Sequence, residues 1–411
     1  MSPSLIRSPR PPEAATPTPI GIATELAQRL AASANARDQA GGHAAREREW
    51  IRESGLLTLS IPTEFGGQGA AWPVVYQVIR ILARADSALA HVFGFHHLQL
   101  AGITLYGSAQ QQRRFLTQTV EQRLFWGNAL NPLDQRTVAT DDRDADGDTD
   151  NDARGYTLDG IKSFSSGSVG ADWLTVSAWH AGVGGALIGV VRTGAPGVSV
   201  QADWDAFGQR QTDSGNVHFD AVALPAEQVL QAPGAAPTPQ ATLRSQIAQL
   251  IMANLYLGIG EGAFEAARLY TLNESKPWFA SGVDAAAHDP LIQHRYGQLW
   301  LRLRPAAVLA DHAAGELERL MRKRMLVTAQ ERGELAVAVA EAKCLAHAAG
   351  LEVSSQLFEL TGARSTSAKY GFDRYWRNVR VHTLHDPVDY KIRDLGRYAL
   401  DGTLPEPTAY S

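Results

Sequence analysis

Apolar residues recur at three- and four-residue intervals through the first part of the chain, and this spacing predicts amphipathic helices. Ile22, Leu26 and Leu30 show the repeat, which continues to about residue 123. The glycine-rich loop Ser60–Gly69 interrupts it, because glycine permits the irregular backbone of a tight turn. The sequence therefore predicts an N-terminal helical domain over residues 20–124.

The pattern then changes to short runs rich in β-branched and aromatic residues. Trp173–Trp179, Ala186–Val191 and Val217–Val222 are each bounded by glycine, proline or aspartate, which predicts strands. Several short strands in succession favour a small sandwich or barrel. We therefore expect a β domain over residues 125–232, and the prolines of residues 225–241 indicate a linker after it.

Long helical patterns return after the linker, at residues 243–272, about 288–322 and 328–360. Three or four long helices with short connections predict an antiparallel bundle. Together with the tail, this bundle occupies residues 240–411. The order is helical, then β, then helical, so the expected fold is mostly α with a central β domain.

Composition limits the partners. A formal net charge of −5 leaves no basic footprint for nucleic acid. No run of about 20 apolar residues predicts a membrane span, and the single Cys344 excludes an internal disulfide, which fits a cytoplasmic protein. Residues 1–19 carry six prolines and no signal-peptide core, so we expect a disordered arm.

The acidic stretch Asp141–Asp152 raises the question of a calcium loop. Aspartates alternate from Asp142, and Gly147 then falls at the sixth position of such a loop. However, Ala153 stands at the twelfth position, where a calcium loop needs a bidentate glutamate. A solvated hairpin insertion is therefore the preferred interpretation, and no metal site is predicted.

The strongest signal for chemistry lies in residues 369–388. The run Arg377–Arg380 (Arg-Asn-Val-Arg) leads into Leu384–Pro387 (Leu-His-Asp-Pro). This stretch resembles the end of the acyl-CoA dehydrogenase fold, where such a run leads into Tyr-Glu-Gly-Thr and the glutamate abstracts an α-proton in many members. His385 replaces that carboxylate. An imidazole suits proton delivery to an oxygen species better than committed proton abstraction, so the resemblance implies oxygen chemistry on a dehydrogenase scaffold.

Further segments narrow the resemblance to the dibenzothiophene monooxygenase family and its sulfur-acquisition relatives. They are Trp126–Ala129, Gly160–Gly167, Asp203–Gly215 and Tyr370–Lys391. The resemblance implies a two-component enzyme that receives reduced FMN from a separate NAD(P)H:flavin reductase. With oxygen it would form a flavin C4a-hydroperoxide and oxygenate an organosulfur or aromatic heterocyclic substrate, most readily by dibenzothiophene-like S-oxidation. It also implies a homotetramer in which neighbouring subunits complete each flavin site.

The resemblance assigns roles to individual residues. His385, His96, Ser166 and Asn128 would be catalytic, because hydroxyl and imidazole donors stabilise the oxyanion that remains after oxygen transfer. Flavin contacts would come from a larger set: Asn128, Phe164, Ser166, Trp204, Ser214, Lys276, Arg364, Ser365, Thr366 and His385. Lys276 departs from the family, which carries arginine there; lysine supplies charge without a bidentate fork.

Two other functions remain open. An acyl-CoA dehydrogenase could carry its base on the first bundle helix, but neither Ala248 nor Gln249 near that position is acidic. A non-catalytic flavin-binding or sulfur-response protein would have lost His385, His96 or Ser166, and all three are present.

Overall fold

Capping residues explain where the helices of the first part begin. The structure is a computed structural model that describes residues 18–131, 133–142 and 155–411. Thr18 accepts a hydrogen bond from Gly21 N, and Pro19 takes the first helical position, where a missing N–H leaves no bond unmade. The helices of this part are α1 (Pro19–Ala40), α2 (Ala45–Glu53), α3 (Trp72–Ala85), α4 (Ser87–Tyr106) and α5 (Ala109–Gln122).

Helix α4 lies at the centre of the molecule, and every residue from Ser87 to Ile103 is buried. Asp86 caps it by accepting a hydrogen bond from Leu89 N. A helix that is apolar on all sides must be enclosed by other elements, and α4 packs against α3, α5 and the β domain. Its histidines are therefore interior groups.

The central part is a single mixed sheet. Its strands are β1 (Trp126–Ala129), β2 (Thr137–Asp141), β3 (Tyr156–Lys162), β4 (Trp173–His180), β5 (Gly185–Arg192), β6 (Val198–Val200), β7 (Val217–Leu224) and β8 (Val229–Gln231). The strand order is β6-β7-β3-β2-β4-β5-β8, and β1 pairs with β4 in parallel, with Asn128 opposite Thr175. The three strands predicted from the sequence are confirmed to within two residues of their ends.

The predicted linker was wrong over its first part. Residues Val229–Gln231 form β8, which pairs with β5, and Leu230 is buried. A single inward-facing apolar residue is a weak sequence signal, and the surrounding prolines obscured it. Tertiary packing against β5 provides the strand's hydrogen bonds.

The C-terminal part is a helical bundle of α6 (Leu243–Asn273), α7 (Pro290–Lys323), α8 (Ala329–Thr361), α9 (Asp373–His382) and α10 (Val388–Asp401). The three long helices match their predicted spans closely. α6 is long and apolar enough by composition to cross a membrane, but 83% of its most apolar window is buried inside the protein, as in a core helix. It packs against α3 and α4 on one side and α7 and α8 on the other, so it joins the two helical parts.

Two sequence predictions fall largely outside the described residues. The predicted disordered arm lies outside them up to residue 17, whereas Thr18 caps α1 and Pro19 is its first residue. The acidic stretch, on which the calcium interpretation rests, lies outside the described residues from residue 143 onward, up to residue 154. The fold class is confirmed, while the exact domain boundaries stay a prediction.

Candidate active site

A cavity of about 840 Å³ lies where the three parts of the fold meet. α4, the β domain, α6, the turn after α9 and the C-terminal tail all contribute to its wall. It brings together six of the side chains singled out in the sequence: Asn128, Phe164, Ser166, Trp204, Ser214 and His385.

A chain of hydroxyl groups lies on the β-domain side. Ser166 Oγ is 2.9 Å from Ser214 Oγ, which is 2.8 Å from Thr212 Oγ1. Backbone bonds hold the two loops together, because Gly167 N donates to Thr212 O and Asn128 N donates to Ser166 O. These three hydroxyls can reorient to donate or accept, which suits a ligand whose charge changes during reaction.

A buried ion pair fixes these loops from behind. Asp213, in a left-handed conformation with φ of 49°, receives Arg48 Nη1 at 2.9 Å and lies 2.8 Å from His43 Nδ1. Arg48 also reaches the Gly167 carbonyl at 3.3 Å. Burial lowers the pKa of Arg48, against the opposing attraction of Asp213. Helix α2 therefore positions the serine hydroxyls without touching the cavity.

Two aromatic side chains line the mouth of the cavity. Phe164 and Trp204 lie edge to face with ring centroids 5.9 Å apart, and Phe164 is 68% exposed despite its size. Trp204 Nε1 donates to Gln209 O at 2.9 Å, which fixes the indole. An exposed aromatic wall beside hydroxyl groups fits the flat ring system of a flavin.

His385 belongs to a charged network that begins on another helix. Its Nδ1 lies 2.9 Å from Asp386 Oδ1, and the same oxygen accepts from Lys343 Nζ. Burial would raise the pKa of Asp386, but the His385 hydrogen bond and the Lys343 ammonium outweigh it and hold this pKa well below its usual range. Lys343 also donates to Gln249 Oε1, and Gln249 lines the cavity. Both ends of this network, His385 and Gln249, therefore line the cavity.

Two histidines that the sequence analysis did not select also face the cavity. The His91 ring lies 4.0 Å from that of Phe95 and 4.7 Å from that of His382. Both ring nitrogens of His91 are buried and have no hydrogen-bond partner among the described residues. Burial lowers the pKa of His91 to about 3 and that of His382 well below its usual value, so both are neutral near pH 7.

His96 was expected at the site, and the structure does not bring it to the cavity. Its Nε2 lies 2.8 Å from Leu57 O, and its Nδ1 accepts from Trp126 N at 3.1 Å. Both nitrogens therefore serve the backbone, and burial lowers the pKa of His96 to about 4. The helical spacing along α4 would have shown which histidine faces the cavity. His91, Phe95 and Leu98 share one helix face, whereas His96 points away from it.

The predicted phosphate contacts lie elsewhere. Lys276 follows α6 and is exposed, and Arg364 and Thr366 are exposed on the turn after α8. Ser365 is buried, with Oγ donating to Gly362 O at 2.7 Å. None of these four residues lines the cavity of the single chain. A role for them requires a neighbouring copy and stays a prediction.

Comparisons with known proteins give a consistent picture. The acyl-CoA dehydrogenase N-terminal, middle and C-terminal domain profiles match residues 22–123, 135–222 and 250–390. A probable FMNH2-dependent monooxygenase, SfnC, from Pseudomonas putida is 47% identical over 95% of this chain and 97% of its own length. The dibenzothiophene monooxygenase of Rhodococcus qingshengii is 41% identical, with 97% of each chain covered.

Solved structures agree. Methanesulfinate monooxygenase MsuC from Pseudomonas fluorescens superposes with a TM-score of 0.91 at 46% identity, covering 96% of this chain and 100% of that one. FMN-bound TdsC from Paenibacillus sp. A11-2 gives 0.89 at 40% identity, covering 96% and 100%. Butyryl-CoA dehydrogenase from Megasphaera elsdenii, at 21% identity and a TM-score of 0.79, shares the fold.

Proposed function

The chain belongs to the acyl-CoA dehydrogenase family and, within it, to the FMNH2-dependent monooxygenases, and from that premise we propose that it oxygenates the sulfur atom of an organosulfur compound. One atom of O2 goes to the substrate sulfur and the other leaves as water. Reduced FMN supplies the two electrons and is oxidised to FMN. A separate NAD(P)H:flavin reductase would return it to the reduced state.

The observation that carries this proposal is the chemistry of the cavity wall. Among the described residues that line it there are histidines, hydroxyls and amides, but no aspartate or glutamate. The alternative base position, at Ala248 and Gln249, faces the cavity and is not acidic. An acyl-CoA dehydrogenase needs a carboxylate to remove the α-proton, so this wall argues against that alternative.

The flavin would lie between the aromatic wall of Phe164 and Trp204 and the hydroxyls of Ser166 and Ser214. When bound, reduced FMN supplies the activation of oxygen, which amino-acid side chains cannot perform by themselves. Asn128 and the two serines provide neutral hydrogen-bond partners for its polar edge. The apolar and aromatic remainder of the wall excludes water from the reacting atoms.

His385 would act as the proton donor beside the reacting oxygen. Asp386 accepts the Nδ1–H, so Nε2 faces the cavity and donates its proton to the oxygen when the ring is an imidazolium. His91 and His382 stay neutral, and each neutral imidazole donates from one nitrogen and accepts at the other. Three imidazoles and two serine hydroxyls can thus stabilise the oxyanion that forms as the oxygen atom is transferred.

We also propose a cytoplasmic homotetramer in which neighbouring copies bring Lys276, Arg364, Ser365 and Thr366 to the flavin phosphate. What supports this proposal is that the described lining residues of the cavity hold a single cation, Arg244, which is few for a doubly charged flavin phosphate. Arginine and lysine are the usual partners of phosphate groups.

The test is product analysis with isotopically labelled oxygen. Purified protein, reduced FMN from a flavin reductase and a panel of sulfides, sulfoxides, sulfinates and thiophenes are mixed aerobically. We expect a product that carries one labelled oxygen atom on sulfur for at least one compound. Oxidation of an acyl-CoA without oxygen incorporation, or flavin binding without turnover of any compound, would establish one of the two alternatives instead.

A further inference from the structure

The cavity contains one permanent cation that the proposed chemistry does not use. Arg244, near the start of α6, is the only lysine or arginine among the described lining residues, and no carboxylate accompanies it there. Buried polar cavities usually balance their charges. This imbalance is specific to the cavity, since the whole chain has a formal net charge of −5.

The surroundings of Arg244 leave its charge without a partner among the described residues. Nη2 donates to Gln99 Oε1 at 3.2 Å, while Nε is buried without any acceptor. Burial lowers the pKa of Arg244, and Tyr106, a phenol, is the group that opposes this effect. A desolvated guanidinium without an anion is costly, so the site gains stability when a ligand supplies one.

Arg244 lies far from the groups assigned to oxygen transfer. On α4, those groups lie at the level of His91 and Val92, where Gly167 approaches the helix. The guanidinium contacts α4 eight residues further on, at Gln99, which corresponds to about 12 Å along the helix axis. Phe95, Leu98 and Met252 line the cavity as an apolar stretch.

We propose that Arg244 binds an oxyanion of the substrate, and that the substrate is an organosulfur acid with an apolar middle. Its carboxylate or sulfonate lies at Arg244, and its sulfur lies at the His91 end. The proposal rests on the proposed function, which assigns that end to oxygen transfer. It differs from the relatives' named substrates, since dibenzothiophene has no charge and methanesulfinate is too short to span about 12 Å.

The phosphate of reduced FMN is the other possible source of an oxyanion. Arg244 is the single cation among the described lining residues, and a dianion usually takes several charged donors. A singly charged carboxylate suits one guanidinium, which offers it two parallel N–H donors. We therefore assign Arg244 to the substrate, and the experiment measures both ligands.

Binding is tested on flavin-free protein by calorimetry with methylthio-octanoate and its uncharged amide. We expect the acid to bind roughly 10- to 100-fold more tightly than the amide, as a charged hydrogen-bonded pair predicts. In Arg244→Gln this ratio falls to about one, and in Arg244→Lys it falls only partly. Arg192→Gln, which removes an exposed cation on β5, is the control and keeps the wild-type ratio. Thermal unfolding confirms that each variant is folded.

The wild-type protein can overturn the proposal without any variant, if it binds amide and acid equally. A drop in FMN affinity in Arg244→Gln, with the acid-to-amide ratio kept, assigns the residue to the phosphate instead. Turnover adds a length test. Methylthio-octanoate should yield its sulfoxide, whereas methylthio-propanoate should bind and be oxygenated poorly; equal turnover of the two rejects the separation. Arg244-dependent binding of the acid without oxygenation of any sulfur compound keeps Arg244 as the oxyanion site and rejects the proposed function.

Discussion

Asp386 Oδ1 lies 2.9 Å from His385 Nδ1, and the same carboxylate is held by the buried ammonium of Lys343 from the middle of α8. The Lys343 side chain is 1% exposed and that of Asp386 is 5% exposed, whereas that of His385 is 39% exposed. A rigid, buried ion pair thus orients a more accessible imidazole. This imidazole is the one that we propose as the proton donor, at the position where the resemblance places the base of the dehydrogenases.

We expect Asp386→Asn to reduce product formation by about 10- to 100-fold, the usual effect of losing a group that orients a reacting histidine. The amide can donate to Nδ1 as well as accept from it, so it no longer fixes the tautomer, and it leaves Lys343 without its counter-charge. Steady-state kinetics with the preferred substrate measures the loss. Asp394→Asn, which removes a partly buried carboxylate that pairs with Arg393 outside the cavity wall, is the control. Normal turnover in Asp386→Asn would show that His385 needs no support.

His385→Ala and Ser166→Ala should each lower product formation by about a hundredfold or more, since loss of one oxyanion donor costs on the order of 2.7–4 kcal/mol. Oxygen consumption should continue and release hydrogen peroxide, because the flavin still reacts but the transfer fails. The ratio of peroxide to product measures this. Ser168→Ala changes a buried hydroxyl of the same loop that does not line the cavity. Ser168→Ala should keep the wild-type ratio of peroxide to product. A wild-type ratio in both His385→Ala and Ser166→Ala would contradict their assignment to oxygen transfer.

His91 and His96 should respond in opposite ways. His91→Asn removes an imidazole that faces the cavity, so we expect a large loss of turnover with little change in stability. His96→Asn breaks two buried bonds to the backbone of Leu57 and Trp126, which should lower the free energy of unfolding by roughly 1–3 kcal/mol for each group left unpaired. Urea denaturation and kinetics on both variants separate the roles. The reverse pattern would restore His96 as the reacting residue.

Lys276→Ala should weaken FMN binding about tenfold in a tetramer, whereas Lys276→Arg should strengthen it, because the guanidinium offers a bidentate fork to phosphate. Lys323, which pairs with Glu331 at the end of α7, provides the control substitution. Light scattering on the same samples reports the oligomeric state. An active monomer would contradict the tetramer, and protein purified with tightly bound FAD would contradict the preference for FMN.

Buried histidines should make the fold sensitive to acid. Burial lowers the pKa to about 3 for His91 and about 4 for His96, and well below the usual value for His97 and His382. The unfolded chain binds these protons near pH 6.5, so falling pH favours unfolding. Each group can contribute about 1.4 kcal/mol per pH unit between its unfolded and folded pKa values. Urea unfolding from pH 7 to pH 5 should show the decline.

His97→Asn should make that pH dependence shallower by about one proton, whatever its effect on stability at pH 7. His218→Gln, at an exposed position of β7, should leave the slope unchanged. If the free energy of unfolding of the wild-type protein is constant between pH 7 and pH 5, these histidines are not held neutral by the fold.

The sequence by itself determined the order of the three parts and the bounds of the long helices, because helix periodicity and caps are local signals. The resemblance of one short motif also predicted that His385 stands where many dehydrogenases carry a carboxylate. The sequence did not predict strand β8, because one buried leucine among prolines is a weak local signal. Pairing with β5 stabilises this strand.

Tertiary structure decided which side chains meet. His91 and His96 lie on the same helix, and only packing determined that one faces the cavity while the other bonds the backbone of Leu57 and Trp126. Lys343 and Asp386 are 43 residues apart and form one buried pair. No sequence motif marks Arg244. We infer its role from the cavity, where no carboxylate accompanies it among the described lining residues. Local patterns specify elements, whereas burial and charge balance depend on distant residues that share one interior.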